Sequence, residues 1–142
     1  GTPCIYYGTE QGFEGAGEHD ANIREAMFNP DDKVSDALDK SNKIYQGISQ
    51  IAAIRKKSSV LKFGHMHMRK ISKDGLHFHL PECEKCLIAF SRVLFDQEMV
   101  VAFNSSTTEE KEEYVAIKRQ PNVDKSFFKF LYGDTGKVKV LE

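Results

Sequence analysis

The sequence predicts an α+β chain in which a short buried strand, a long loop and one helix precede a small antiparallel β-sandwich. Three observations predict it. Cys4-Ile5-Tyr6-Tyr7 is an apolar run stopped by Gly8, which suits a buried strand of the parallel type. Ile44, Ile48, Ile51, Ala52 and Arg55 then recur at helical spacing. Beyond Gly64 the period becomes alternating, in short runs broken by turn residues.

The elements follow in order. Residues 8–33 read as one long loop, holding Gly8, Gly12, Gly15, Gly17 and Pro30 among scattered acids. A loop of that length inside a compact domain is usually functional or disordered. Ser41 is the expected N-cap of the helix, and Lys56 and Lys57 in its last turn suit the negative end of the helix dipole. Gly47 weakens this helix without excluding it. His65 to Ile71 is the first expected sandwich strand, and Asp74-Gly75 is a turn leading into a second at Leu76 to Leu80. Cys86 to Phe95 and Glu98 to Asn104 are the clearest pair, joined through Asp96-Gln97. Glu113 to Lys118, Phe127 to Tyr132 and Lys137 to Val140 complete the set, the last two linked by Gly133-Asp134-Thr135-Gly136. Two domains are expected, at 1–63 and 64–140. Leu141-Glu142 reads as the stub of an expression tag.

Composition excludes more than it selects. The chain has 142 residues, 40% apolar and 29% charged, an ordinary globular balance. Lys and Arg total 20 against 21 Asp and Glu, and a net charge of −1 gives no electrostatic case for nucleic acid or an anionic membrane. No apolar run approaches the roughly 20 residues of a membrane helix, and no leader peptide is expected. Cys4, Cys83 and Cys86 are an odd count with no disulfide framework.

The first twelve residues, Gly-Thr-Pro-Cys-Ile-Tyr-Tyr-Gly-Thr-Glu-Gln-Gly, resemble the eighth barrel strand of the α-amylase family, glycoside hydrolase family 13, usually close to G-x-P-x-I-Y-Y-G-x-E. Asp20-Ala-Asn-Ile-Arg24-Glu-Ala-Met27 resembles that family's D-x-x-x-R-E-x-M segment in the following loop. Ile51 to Lys57 with Leu61 to Gly64 resembles its last barrel helix and the exit into the C-terminal domain. Leu87 to Arg92 and Val100 to Asn104 are similar to the sandwich strands beyond. The resemblance therefore implies the last strand and helix of a (β/α)₈ TIM barrel followed by a Greek-key-like β-sandwich.

It also implies a function. The parent protein would act on α-glucosidic bonds of starch or maltooligosaccharides by the retaining mechanism, as a glycosidase or a related glucosyltransferase. Such a mechanism needs two carboxyl groups roughly 5 Å apart. In the family these come from earlier strands, so this chain alone is expected to carry no catalytic residue and no activity. Chemistry in a barrel sits in the loops at the carboxyl ends of the strands. Tyr7, Glu10, Asp20 and Arg24 fall in that position and are the candidate substrate-binding residues. Aromatic faces stack on sugars, and charged groups bond their hydroxyls. By resemblance, Asp20 and Arg24 would hold a glucosyl unit on the non-reducing side of the scissile bond. The implied partners are the α-glucan and the rest of the barrel in cis. Calcium is implied for the parent, bound by upstream segments; no cofactor is expected here.

Plainer readings stand beside these. Glu10 could simply anchor its loop, and Asp20 and Arg24, four apart, could be a local ion pair. Cys83-Glu-Lys-Cys86 is a CxxC without the second pair that tetrahedral zinc needs. His65, His67, His77 and His79 form two HxH pairs that a hairpin could gather around zinc or nickel, though partly exposed strand positions are the favoured reading. Phe90, Phe95, Phe103, Phe127, Phe128 and Phe130 are expected in the sandwich core rather than as a sugar platform. The alternatives in function are an autonomous carbohydrate-binding or structural β-sandwich module, or a transglycosylating relative.

Overall fold

Helix-forming residues between Asn42 and Lys57, and alternating residues after Gly64, set the architecture of the computed structural model, which describes residues 3–15, 17–29, 31, 36–82, 85–117 and 129–133. The chain divides into two compact units, Gly1–Ile54 and Arg55–Glu142. The expected strand at Lys137–Val140, the expected tag stub at 141–142, Cys83, Phe127 and Phe128 lie outside the described residues.

In the first unit the expected strand at Cys4–Tyr7 does not form; Cys4 to Tyr6 are irregular and exposed. A parallel strand needs neighbours for its backbone groups, and none of the described residues pairs with it. The chain turns at Gly8, at φ 81°, into a 3-10 turn at Thr9–Gln11. A Cβ on Gly8 would fall 2.3 Å from Phe13 Cδ2, so both the turn and the close ring require glycine. Helix α1 is one turn, Asp20–Ile23. Helix α2 spans Lys43–Lys57 and runs across the division between the units. Its cap is Asn42, whose Oδ1 accepts the Ile44 N–H at 2.8 Å. Ser41 is not the cap; its N–H and hydroxyl donate to Asp39 Oδ1 at 2.7 and 2.6 Å. Gln11 ties the early loop to this entry, accepting the Asp39 N–H at Oε1 (2.9 Å) and the Asn42 amide at its carbonyl (3.1 Å).

The second unit opens with α3, Ser59–Phe63, capped by Ser58, whose Oγ accepts the Leu61 N–H at 3.1 Å and donates to Met99 Sδ at 3.0 Å. Three strands follow in a sheet ordered β1-β3-β4, all antiparallel: β1 His65–Met68, β3 Leu87–Leu94 and β4 Gln97–Asn104. Two short strands, β2 Ile71–Ser72 and β5 Tyr114–Val115, pair separately. The result is a small α+β unit with antiparallel sheets.

The register assigns the two faces of the larger sheet. Met66, Met68, Phe90, Arg92, Met99 and Val101 share one face, and α3 lies on it through Ser58–Met99 and Arg92 Nη2 to the Lys62 carbonyl (3.4 Å). The helix comes close at Gly64, where a Cβ would stand 2.6 Å from the Val60 carbonyl oxygen and 2.9 Å from that of Val93. The other face carries His67, Ala89, Ser91 and Glu98. Ala89 and Ser91 are fully buried there, and Ile71 and Ser72 of β2 are buried beside β3. Arg69, just past β1, crosses this face: Nε donates to Ser91 Oγ at 2.6 Å, Nη2 donates to Glu98 Oε1, and its N–H donates to the Ala89 carbonyl at 2.9 Å. One guanidinium, on the residue that follows β1, thus ties β3 to β4.

Further expectations need correction. The β3–β4 turn is Phe95-Asp96, one residue earlier than Asp96-Gln97, with Phe95 at φ 54° and 93% exposed rather than in the core. Leu76–Leu80 makes only one bridge, His79 to Ile71, instead of a strand. The Leu76 and His77 N–H groups donate to Asp74 Oδ1 at 2.8 and 2.9 Å and are therefore lost to a ladder. Residues 129–132, the described part of another expected strand, are irregular.

Candidate functional site

Glycine turns gather the residues of the first unit around Tyr7. After the reversal at Gly8 the chain brings Phe13, Glu14 and Gly15 beside the two tyrosines, and α1 adds Ile23. A cavity of about 120 Å³ results, lined by Tyr6, Tyr7, Phe13, Gly15, Ile23 and Glu25 among others. Glu25 Oε1 accepts the Gly15 N–H at 2.8 Å, closing the loop over it. The Tyr6 and Tyr7 rings lie 4.7 Å apart, tilted by 41°. Partial burial, with help from Tyr6, pushes the Tyr7 phenol up, while the Arg24 guanidinium opposes that shift. Tyr7 therefore stays a neutral hydroxyl at ordinary pH, able to donate and accept while its ring offers a face.

The four candidate binding residues fall differently around this cavity. Tyr7 lines it. Asp20 and Arg24 form the four-apart ion pair anticipated from spacing, Arg24 Nη2 to Asp20 Oδ2 at 3.5 Å, with both side chains exposed. Such a pair is weak in water and its groups remain available to a ligand. Glu10 sits half-buried in the 3-10 turn and does not line the cavity. Phe13 and Ile23 were not anticipated, while Tyr6 was expected at the carboxyl end of the strand but not as a binding residue. Glu25 also had a signal, since it follows Arg24 as a specified position of the loop motif.

The other clusters do not assemble. β1, with His65 and His67, pairs with β3, whereas His79 bridges Ile71 and His77 bonds Asp74. Among the described residues no group of three or more His, Cys, Asp or Glu is placed to hold a metal ion. Cys86 is buried, its N–H donating to Ser105 Oγ at 3.0 Å. No helix among the described residues is long and apolar enough to cross a membrane.

Comparison with known proteins gives relatives that are all amylases by name. An alpha-amylase of Streptomyces lividans is 35% identical over 125 residues, 77% of this chain and 12% of that protein. An intracellular maltogenic amylase of Bacillus subtilis is 26% identical over 126 residues, 89% of this chain and 18% of its own length. That of Bacillus subtilis strain 168 is 27% identical over the same span. The chain thus covers less than a fifth of the curated relatives it matches. No family model matches the chain, and no solved structure does.

Proposed function

Because this chain is a relative of α-amylase-family proteins over a segment of their length, we propose that it is the C-terminal part of a glycosidase acting on α-glucosidic bonds of starch or maltooligosaccharides. The observation that carries the reading is the match to two kinds of amylase together with the ordered motifs at residues 1–12 and 20–27.

The chemistry is retaining. A carboxylate attacks the anomeric carbon while a protonated carboxyl, roughly 5 Å away, donates to the leaving oxygen; water then releases the sugar with the second group acting as base. Both carboxyls belong to parts of the protein outside this chain. Here Tyr7 offers an aromatic face, and Asp20 and Arg24 hydrogen-bond sugar hydroxyls. Glu10 anchors the loop that presents them. Binding in this manner orients the glucosyl ring for attack. Calcium in the full-length protein would take its ligands mainly from upstream segments, as the family resemblance implies.

Exposed apolar surface supports a chain adapted to pack against more protein. Ile44 and Ile51 are exposed on α2, and in the second unit Met66 and Met68 are exposed on the sheet face that α3 only partly covers. The rest of the barrel in cis is the natural cover, and it would also supply the neighbours that a strand at Cys4–Tyr7 needs.

The test compares the chain alone with the full-length protein. The chain alone should not hydrolyse maltooligosaccharides; the full-length protein should, and Tyr7→Ala, Asp20→Asn and Arg24→Gln in it should each raise KM or lower kcat/KM. Hydrolysis by the pure chain, or full activity in all three variants, would overturn the reading. Retention of the chain alone on amylose would favour an autonomous carbohydrate-binding module instead.

A further inference from the structure

We infer that the Asp74-Gly75 peptide is a latent isomerisation site, and that the turn built around it is what holds the reaction off. In this reaction the Gly75 amide nitrogen attacks Asp74 Cγ. The amide proton and a carboxyl hydroxyl leave as water, and a five-membered succinimide forms. Water then opens the ring at either carbonyl, giving aspartate or isoaspartate, with no oxidant and no net change of atoms. Glycine is the residue that obstructs this least, having no Cβ beside the nucleophilic nitrogen. Asp74-Gly75 is the one Asp-Gly in the sequence, which contains no Asn-Gly.

Both reacting groups are restrained. Asp74 Oδ1 accepts the Ser72 hydroxyl at 2.7 Å and the Leu76 and His77 N–H groups at 2.8 and 2.9 Å. Oδ2 faces His77 Nδ1 at 2.6 Å. Attack requires the neutral acid, and these bonds favour the anion. The Gly75 N–H donates to Ser72 Oγ at 3.0 Å, which points the nitrogen at a hydroxyl rather than at the carboxyl carbon. Gly75 is also held at φ 75°, with the Tyr114 ring in ordinary contact range, 3.4 Å from where a Cβ would stand. Yet Asp74 is half-exposed, so the water that opens a succinimide is at hand. Once formed, isoaspartate carries an extra methylene in the backbone and cannot rebuild this set of bonds. The site thus accumulates product in proportion to the time the turn spends open.

The test ages the chain at neutral pH and body temperature, natively and in denaturing urea, and measures isoaspartate at residue 74 by peptide mapping with electron-transfer fragmentation. Native conversion should be slower by roughly tenfold or more, the factor for a turn whose opening costs about 1.4 kcal/mol. Ser72→Ala, which frees the Gly75 N–H and one carboxylate bond, should raise the native rate toward the urea rate. Should that variant unfold, the native-against-urea comparison on the unchanged chain still decides. Equal rates in the two conditions, no conversion in either, or a folded Ser72→Ala chain that ages like the unchanged one would each overturn the inference.

Discussion

Replacing Glu98 with Gln should cost about 2 to 3 kcal/mol of stability in the second unit. The side chains of Arg69 and Glu98 are 15% and 14% exposed, so the pair is largely shielded from water. Exposed pairs contribute about 0–1 kcal/mol, while breaking a fully buried pair by removing one partner costs about 3–5 kcal/mol. Loss of one hydrogen bond to a charged group, about 1.5–3 kcal/mol, lies between them. Gln keeps the shape and one acceptor oxygen, so Arg69 would hold its bond to Ser91 Oγ but lose its compensating charge. Ser91→Ala should cost less, about 1 kcal/mol, since it removes one neutral acceptor at a fully buried site. The double variant should fall short of the sum, because both partners share one guanidinium. Urea unfolding followed by far-ultraviolet circular dichroism, with amide exchange at Ala89 as the local probe, gives all three values. A Glu98→Gln change below about 0.5 kcal/mol, the scale of an ordinary surface substitution, would refute the reasoning.

Gly64→Ala should destabilise the same unit by about 1–3 kcal/mol, since its Cβ would press on backbone oxygens of Val60 and Val93 at 2.6 and 2.9 Å; denaturant midpoints check this. Phe95→Asn should raise the melting temperature, because a phenylalanine at φ 54° carries backbone strain of about 1–2 kcal/mol that asparagine relieves in part. Hydrogen bonding and charge from Asp74 hold the His77 pKa above its ordinary 6.5. The contribution of this pair to the turn is therefore complete below about 6.5 and fades as pH rises through the raised value. A proton NMR titration should place His77 above 6.5 and return it toward that value in Asp74→Asn; an unmoved midpoint in the variant would refute the pairing.

The hairpin of β3 and β4 was plain in the sequence because eight alternating residues on each side demand one register. Its turn was misplaced by one residue, since turn chemistry points to Asp96 and gives no reason to expect phenylalanine in a left-handed conformation. The helix showed itself through the spacing of Ile44, Ile48 and Ile51, but Ser41 and Asn42 are equally good caps on paper and only Asp39 decides between them. Leu76 to Leu80 has the pattern of a strand; one carboxylate three residues back captures its backbone. At the candidate site the Asp20–Arg24 pair follows from spacing alone. The partners of Tyr7 do not, because Phe13 and Glu25 reach it through left-handed glycines whose direction no local pattern specifies.

The two-residue link at Phe95-Asp96 also bears on the order in which the second unit assembles. β3 and β4 are joined through neighbours in the chain, so they can zip without waiting for any distant segment, on the timescale of about 1–10 μs typical of hairpins. β1 must return to β3 across the Asp74 turn, and β2 must find β5 beyond β4. Each closes a larger loop and loses more chain entropy before any contact repays it. The hairpin is thus the template on which the remaining strands condense, and slow steps in refolding should trace to the late arrival of Ile71 and Tyr114 rather than to the sheet's centre.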